Sequence, residues 1–207
     1  MIDYHEERFT DLWNRIKAQS SAKNEFSKLK IMYSQSHRFY HNMEHVEDCL
    51  SEFDSVKQLS QQPDLVEFAI WYHDIIYDTK AKDNEEQSAK LAYTTCLNAE
   101  LSDKLANRIK NLISATKHNV IPRKVDEKLL VDIDLSILGK SEEKFDAYEW
   151  KIRQEYSWVP EDQFKKGRIE LLQNFLERSS IYSTDFFREK FEFQARVNLE
   201  KAIKKLC

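Results

Sequence analysis

The stretch LVEFAIWYHDIIY, Leu65 to Tyr77, decides the fold. It is apolar nearly all round, and a helix of that kind lies buried among other helices rather than on the surface with one wet face. Pro63 stands just before it, where the fixed φ of proline suits a helix start.

Working outward, apolar residues recur at close to helical spacing along almost the whole chain. A first helix is expected from about residue 3 to 18, with Phe9, Leu12, Trp13 and Ile16 on one face, and a second over 22–32. The segment from Asn42 to Leu59 carries Val46, Cys49, Leu50, Phe53 and Val56 at helical spacing. After Tyr77 a polar loop, DTKAKD (Asp78 to Asp83), leads into a helix over Asn84 to Leu97, whose NEE start sets acids at the positive end of the helix dipole. Two more helices are expected at 101–116 and 125–138, separated by the polar stretch KHNVIPRK, with Gly139 as the C′ residue closing the second. From 141 to the end come three further helices, in which Phe145, Tyr148, Trp150, Tyr156, Trp158, Phe164 and Phe175 supply packing. No run of strict apolar/polar alternation occurs, and two glycines with three prolines are too few for hairpin turns. The expected fold class is all-α: a single-domain bundle of about eight to ten helices over 1–207, with no sheet.

Composition narrows the function classes. With 41% hydrophobic and 33% charged residues, the chain can build a core and keep a solvated surface. Gly139 and Gly167 are its only glycines, which excludes a phosphate-binding P-loop and a dinucleotide fingerprint. Net charge is −4, and short basic clusters such as Lys165-Lys166 are mixed with acids or apolar residues, so no nucleic-acid partner is expected. No membrane span and no secretory signal are expected: there is no run of 18 apolar residues, and the start MIDYHEERF has no apolar h-region. Cys49, Cys96 and Cys207 are isolated and odd in number, which fits a reducing, cytoplasmic setting and argues against a disulfide framework or a cysteine zinc site. A homodimer is expected only as the common state of soluble proteins.

The chemistry begins at His73-Asp74 in the apolar segment. Burying a carboxylate is costly unless a cation or strong donors compensate it. Taken alone, the pair reads as a buried histidine bonded to an aspartate, a purely structural device. Its surroundings point elsewhere. Upstream, RFYHNMEH carries His41 and His45, which share a face if helical. Downstream, VDIDLSILG puts Asp132 and Asp134 in another apolar segment. Three apolar helices each offering His or Asp suggest one divalent ion, and mixed imidazole and carboxylate ligands suit Mn, Fe, Co, Ni, Zn or Mg.

The order His45 … His73-Asp74 … Asp134 resembles the HD superfamily of metal-dependent phosphohydrolases. The likeness sharpens in RFYHNMEH, AIWYHDIIYD, DNEEQSA and DIDLSILG, which resemble a bacterial branch of predicted HD hydrolases. It covers roughly residues 31 to 140, with the helices of 141–207 completing the same domain. The resemblance implies His45, His73, Asp74 and Asp134 as metal ligands. Asp134 is preferred to Asp132 because DLSILG has the form common in HD proteins, an Asp followed by apolar helix residues and then Gly. Asp132, two residues earlier, points to a different side of a helix.

Arg38 and Lys117 are expected to meet a phosphate, as cations beside the ligand segments. His41, Tyr77 and His118 are expected to line the substrate site. HDIIYDT is similar to the HDxxEDT segment of guanosine tetraphosphate hydrolases of this type, whose Glu-Asp pair activates water; here Tyr77 replaces the Glu and Asp78 keeps the second acid. Asp78 and Glu85 are the two candidates for general base. The expected activity is metal-dependent hydrolysis of a phosphate ester, with a nucleotide as the leading small-molecule partner. Two alternatives are a catalytically degenerate HD domain that binds metal or nucleotide as a regulator, and a plain helical interaction module whose His and Asp residues are structural.

Overall fold

A computed structural model describes residues 4–118 and 122–207. Asp3, in the expected first helix, and residues 119–121, in the expected polar stretch KHNVIPRK, lie outside them. Among the described residues there are ten α-helices and no strand, so the chain is all-α as its periodicity implies. They are α1 (Tyr4–Arg15), α2 (Ala22–Tyr33), α3 (Met43–Val56), α4 (Pro63–Tyr72), α5 (Asn84–Asn98), α6 (Asp103–Ala115), α7 (Val125–Asp134), α8 (Glu142–Glu155), α9 (Glu161–Leu176) and α10 (Asp185–Leu206). Short 3-10 stretches follow α3 (Lys57–Leu59) and α7 (Leu135–Gly139). No described helix is long and apolar enough to cross a membrane. By contact the chain divides into two compact units, Met1–Leu130 and Val131–Cys207.

In the first unit α4 is the axis. Every residue from Leu65 to Tyr72 is buried, and α1, α3, α5 and α6 all pack on it. Aromatic rings fill the space beside it: Phe9 stacks on Trp13 at 5.2 Å and meets Trp71 edge-on at 5.6 Å, and Phe68 stacks on Tyr72 at 4.6 Å. Each such side chain contributes about 1.5–3 kcal/mol of burial. The predicted buried segment ran to Tyr77, but the helix stops at Tyr72. His73-Asp74 therefore sits at the helix end and not inside it, beside the negative pole of the dipole.

The second unit is organised by α10, which packs on α9 and on the 3-10 stretch after α7. That stretch exposes carbonyls the α ladder would have satisfied. The Asn198 amide donates to the carbonyls of Leu138 and Lys140, each at 2.8 Å, and the Tyr182 hydroxyl to that of Leu135 at 3.1 Å. Gly139 is not a left-handed C′ residue, contrary to the sequence reading, since no glycine has positive φ. Close approach fixes it instead: a Cβ there would run into the backbone and Cβ of Phe191 on α10.

Candidate metal centre

Two helix ends of the first unit bring the donors together. Asn42 is the N-cap of α3, its side-chain oxygen accepting from the Glu44 N–H at 2.9 Å. This starts the helix one residue after the sequence reading and sets His45 in its first turn, 3% exposed. His41 precedes the helix, so His41 and His45 do not share a helical face as predicted; their rings still meet edge-on at 5.9 Å. At the other end, His73 keeps helical φ and ψ as the C-cap of α4, and the chain then turns away.

Arg38 holds that turn in place. Its guanidinium is buried and donates to the backbone carbonyls of His41 at 2.8 Å, Asp74 at 2.7 Å and Ile75 at 2.8 Å, while lying over the rings of Tyr33 and Tyr77. A cation that ties both flanking segments to one point also satisfies carbonyls at the end of α4. On the far side, the Ser88 hydroxyl of α5 accepts from the Ile76 N–H at 3.0 Å and donates to its carbonyl at 3.3 Å.

Within this frame three donors form a triangle. Nε2 of His45 and Nε2 of His73 are 3.0 Å apart, and Oδ2 of Asp74 lies 3.4 Å from the first and 3.2 Å from the second. An ion about 2.1 Å from each donor requires separations of roughly 3.0 Å in octahedral and 3.4 Å in tetrahedral coordination. The triangle has these dimensions. Tautomer agrees with spacing: Nδ1 of His73 lies 2.8 Å from the Ile70 carbonyl, which can only accept, so in the neutral ring Nδ1 carries the proton and Nε2 offers a lone pair to the triangle, while in the imidazolium Nε2 donates to Asp74 instead. His45, Cys49 and His73 belong to a cluster that could hold a metal ion, their ligand atoms lying within 4.8 Å of one another; Asp74 adjoins the two imidazoles.

The electrostatics favour an anionic Asp74. Burial pushes its carboxyl up, but charge on His73, hydrogen bonds from His45 and His73, and charge on His41 hold it well below the usual carboxylate range. A bound cation would act in the same direction.

Cys49 was not singled out by the sequence. It is buried one turn after His45, with its Sγ 3.8 Å from both ring nitrogens of that residue. The i, i+4 spacing of His45 and Cys49 was the available signal. Tyr40 was also missed; its ring centroid is 4.8 Å from that of His45.

The other expected site residues fall in different surroundings. Tyr77 stacks on His41 at 4.1 Å, and its carbonyl meets Nε2 of His37 at 3.0 Å. Asp78 is exposed, and its Oδ1 accepts from the Lys80 N–H at 2.9 Å as part of the loop turn. Glu85 is half-buried on α5. Burial pushes its carboxyl up, a backbone N–H pulls it down, and the negative charge of Asp74 pushes it up again. Lys117 is paired with Glu86 and reaches the Lys82 carbonyl at 3.2 Å. His118 is half-buried with a positive φ of 57°.

In the second unit Asp132 and Asp134 have separate environments. Asp132 is fully buried and accepts from the N–H groups of Ser183 and Thr184 and from the Thr184 hydroxyl, each at 2.7 Å. It is fastened to the N-terminus of α10. Asp134, the last residue of α7, is half-buried.

No protein-family model matches the chain, and the comparisons with curated proteins and with solved structures gave no match.

Proposed function

We propose that the chain is a metal-dependent phosphohydrolase acting on a phosphate ester, with a nucleotide as the leading substrate class. The observation that carries this reading is the His45–His73–Asp74 triangle, with edges of 3.0 to 3.4 Å at the buried end of a central helix. Asp134 is the fourth ligand by the sequence pattern, since Asp132 is held by α10. A divalent ion in this set supplies Lewis acidity toward a phosphoryl oxygen and lowers the pKa of water.

The chain's own groups provide the rest. His73 is held in one tautomer by Ile70, and Arg38 fixes the turn that aims Asp74. Glu85 is the favoured proton acceptor. A carboxylate raised by burial and by a neighbouring anion is a better base near neutral pH than an exposed one, and Asp78 is exposed. Lys117, which pairs with Glu86 in the free protein, is the cation proposed to meet phosphate charge. His41, stacked on Tyr77, and His118 would border the substrate.

One observation favours a second reading, a regulator that binds metal or nucleotide without turnover. Tyr77 occupies the position of the water-activating Glu, with its ring held between His41 and Arg38.

The test uses the wild type, H73A and D74A, all assayed for bound metal and then with nucleotides and simple phosphoesters in Mn, Co, Ni and Mg. Stoichiometric metal lost in both variants, together with turnover, supports the hydrolase. Metal without turnover on any substrate supports the regulator. A wild type that takes up no metal would sink the hydrolase and leave the regulator only as a nucleotide binder, to be tested by nucleotide titration.

A further inference from the structure

Helix α5 commits two side chains to the loop that leaves the candidate metal centre. Asn84, its first residue, accepts the N–H of Asp78 on its side-chain oxygen at 3.1 Å and donates its amide to the Asp78 carbonyl at 2.9 Å. One turn on, the Ser88 hydroxyl makes the same reciprocal pair with Ile76, at 3.0 and 3.3 Å. Neither is the local default. An asparagine at a helix start commonly caps its own helix, and a serine inside a helix commonly bonds back to the carbonyl four residues earlier. Here α5 starts without a side-chain cap from Asp83, and the fully buried Ser88 reaches out of its helix.

Two repeats match to allow this. Residues i and i+4 of a helix are about 6 Å apart along its axis. Residues two apart in an extended chain are about 6.6 Å apart and turn their N–H and C=O groups to one side. Ile76 and Asp78 turn theirs to α5, while the carbonyl of Tyr77 between them meets Nε2 of His37 at 3.0 Å instead. The first turn of α5 is thereby clasped in register to the chain that follows Asp74.

Glu85 lies between the two clasp residues in sequence, directly after Asn84. It is half-buried, and after burial itself the charge of Asp74 pushes its carboxyl up, so the two acids act on each other. We infer that Asn84 and Ser88 are positioning residues, which act through Glu85 by holding it in fixed register with the Asp74 end of the metal centre. The inference rests on the reading of Glu85 as the proton acceptor of the proposed reaction. Fixed placement matters there, because a base works only within hydrogen-bond reach of the proton it takes, and a misplacement of about 1 Å costs on the order of a hundredfold in rate.

The test uses the full chain as wild type, N84A, S88A and E85Q, and N84A in the E85Q background. One readout needs no turnover: carbon-detected NMR follows the Glu85 carboxyl across pH in the metal-free chain, its signal identified by its loss in E85Q. It should titrate above the ordinary glutamate range in wild type and fall back toward that range in N84A and S88A. With Mn and p-nitrophenyl phosphate, N84A and S88A should lower kcat about ten- to a hundredfold, with KM and bound metal within about twofold of wild type. N84A should cost nothing further once Glu85 is already Gln. S88A leaves both backbone groups of Ile76 without their partner, so where it folds poorly the half-buried Asn84 carries the test through N84A. An unmoved Glu85 titration in N84A, loss of bound metal from N84A, or a full further loss in the E85Q background would each overturn the inference and leave the hydrolase standing. A wild type with no turnover on any phosphoester, whose Glu85 titration still responds to N84A, would sink the hydrolase and leave the clasp.

Discussion

Helix α4 presents two acids from one buried segment, and their surroundings are opposite. Glu67, 1% exposed, is met by cations: Nε of Arg8 at 2.9 Å, Nη2 of Arg15 at 2.6 Å and Nζ of Lys57 at 3.6 Å. Asp74, just past the helix end, is met by the imidazoles of His45 and His73. Guanidinium groups are always charged and complete a buried carboxylate permanently. An imidazole can be neutral or charged near neutral pH, so the pair around Asp74 compensates it either as imidazolium or by sharing a bound cation with it. Around Glu67 the helix carries a closed structural ion network; at its end it carries a donor set whose charge can change. The same contrast recurs in the second unit, where Asp132 is fastened by three donors to α10 while Asp134, two residues on, is the proposed ligand.

The sharpest way to break the comparison is to truncate the acid at the open end. D74A and H73A should lower metal affinity by more than about a hundredfold, beyond the range for outer-sphere supports, and abolish metal-dependent turnover. Far-UV circular dichroism should stay helical. Full metal loading of D74A, measured by elemental analysis, would refute the assignment of the triangle.

Next comes the proposed base. E85Q should lower kcat by about 10²–10⁴-fold while leaving bound metal in place. Because Glu85 is raised by burial and by Asp74, its basic form is lost at higher pH than for an ordinary glutamate. The acid limb of the wild-type kcat/KM profile should therefore lie above the usual carboxylate range and disappear in E85Q. A wild-type limb at an ordinary glutamate position, or one unchanged in E85Q, would return the role to Asp78.

At the closed end, R8A leaves Glu67 short of one partner and should cost about 3 kcal/mol in urea unfolding, with metal per folded chain unchanged. The smallest effect is expected for D132N. It should lose roughly 1–3 kcal/mol by weakening the tie to α10 and retain metal, whereas D134N should lose metal with little change in stability. Were D132N to lose the metal and D134N to keep it, the two acids would have to exchange roles.

Much of this was legible in the chain. Periodicity marked the helices to within a few residues, and the apolar run around Phe68 and Trp71 identified the central one, because burial on all sides leaves its mark residue by residue. His45, His73 and Asp74 stood out as polar groups too costly to bury without purpose. Other features were hidden. The end of α4 at Tyr72 depends on Arg38, more than thirty residues upstream, taking the carbonyls of Asp74 and Ile75. Cys49 looked like an ordinary core thiol until α3 was set beside His73. Gly139 looked like a helix stop, and only the approach of α10 gave its reason.

By itself, then, the sequence determined the all-helical class, the central helix and two of the residues able to bind a metal, His45 and His73. These follow from local propensity and from the cost of burying polar groups, both of which act along a short length of chain. Tertiary structure alone decided which acid meets guanidinium and which meets imidazole, and that three donors stand 3.0 to 3.4 Å apart. Those distances come from packing helices far apart in sequence, and the spacing of residues along a chain does not encode the direction in which separate helix ends point.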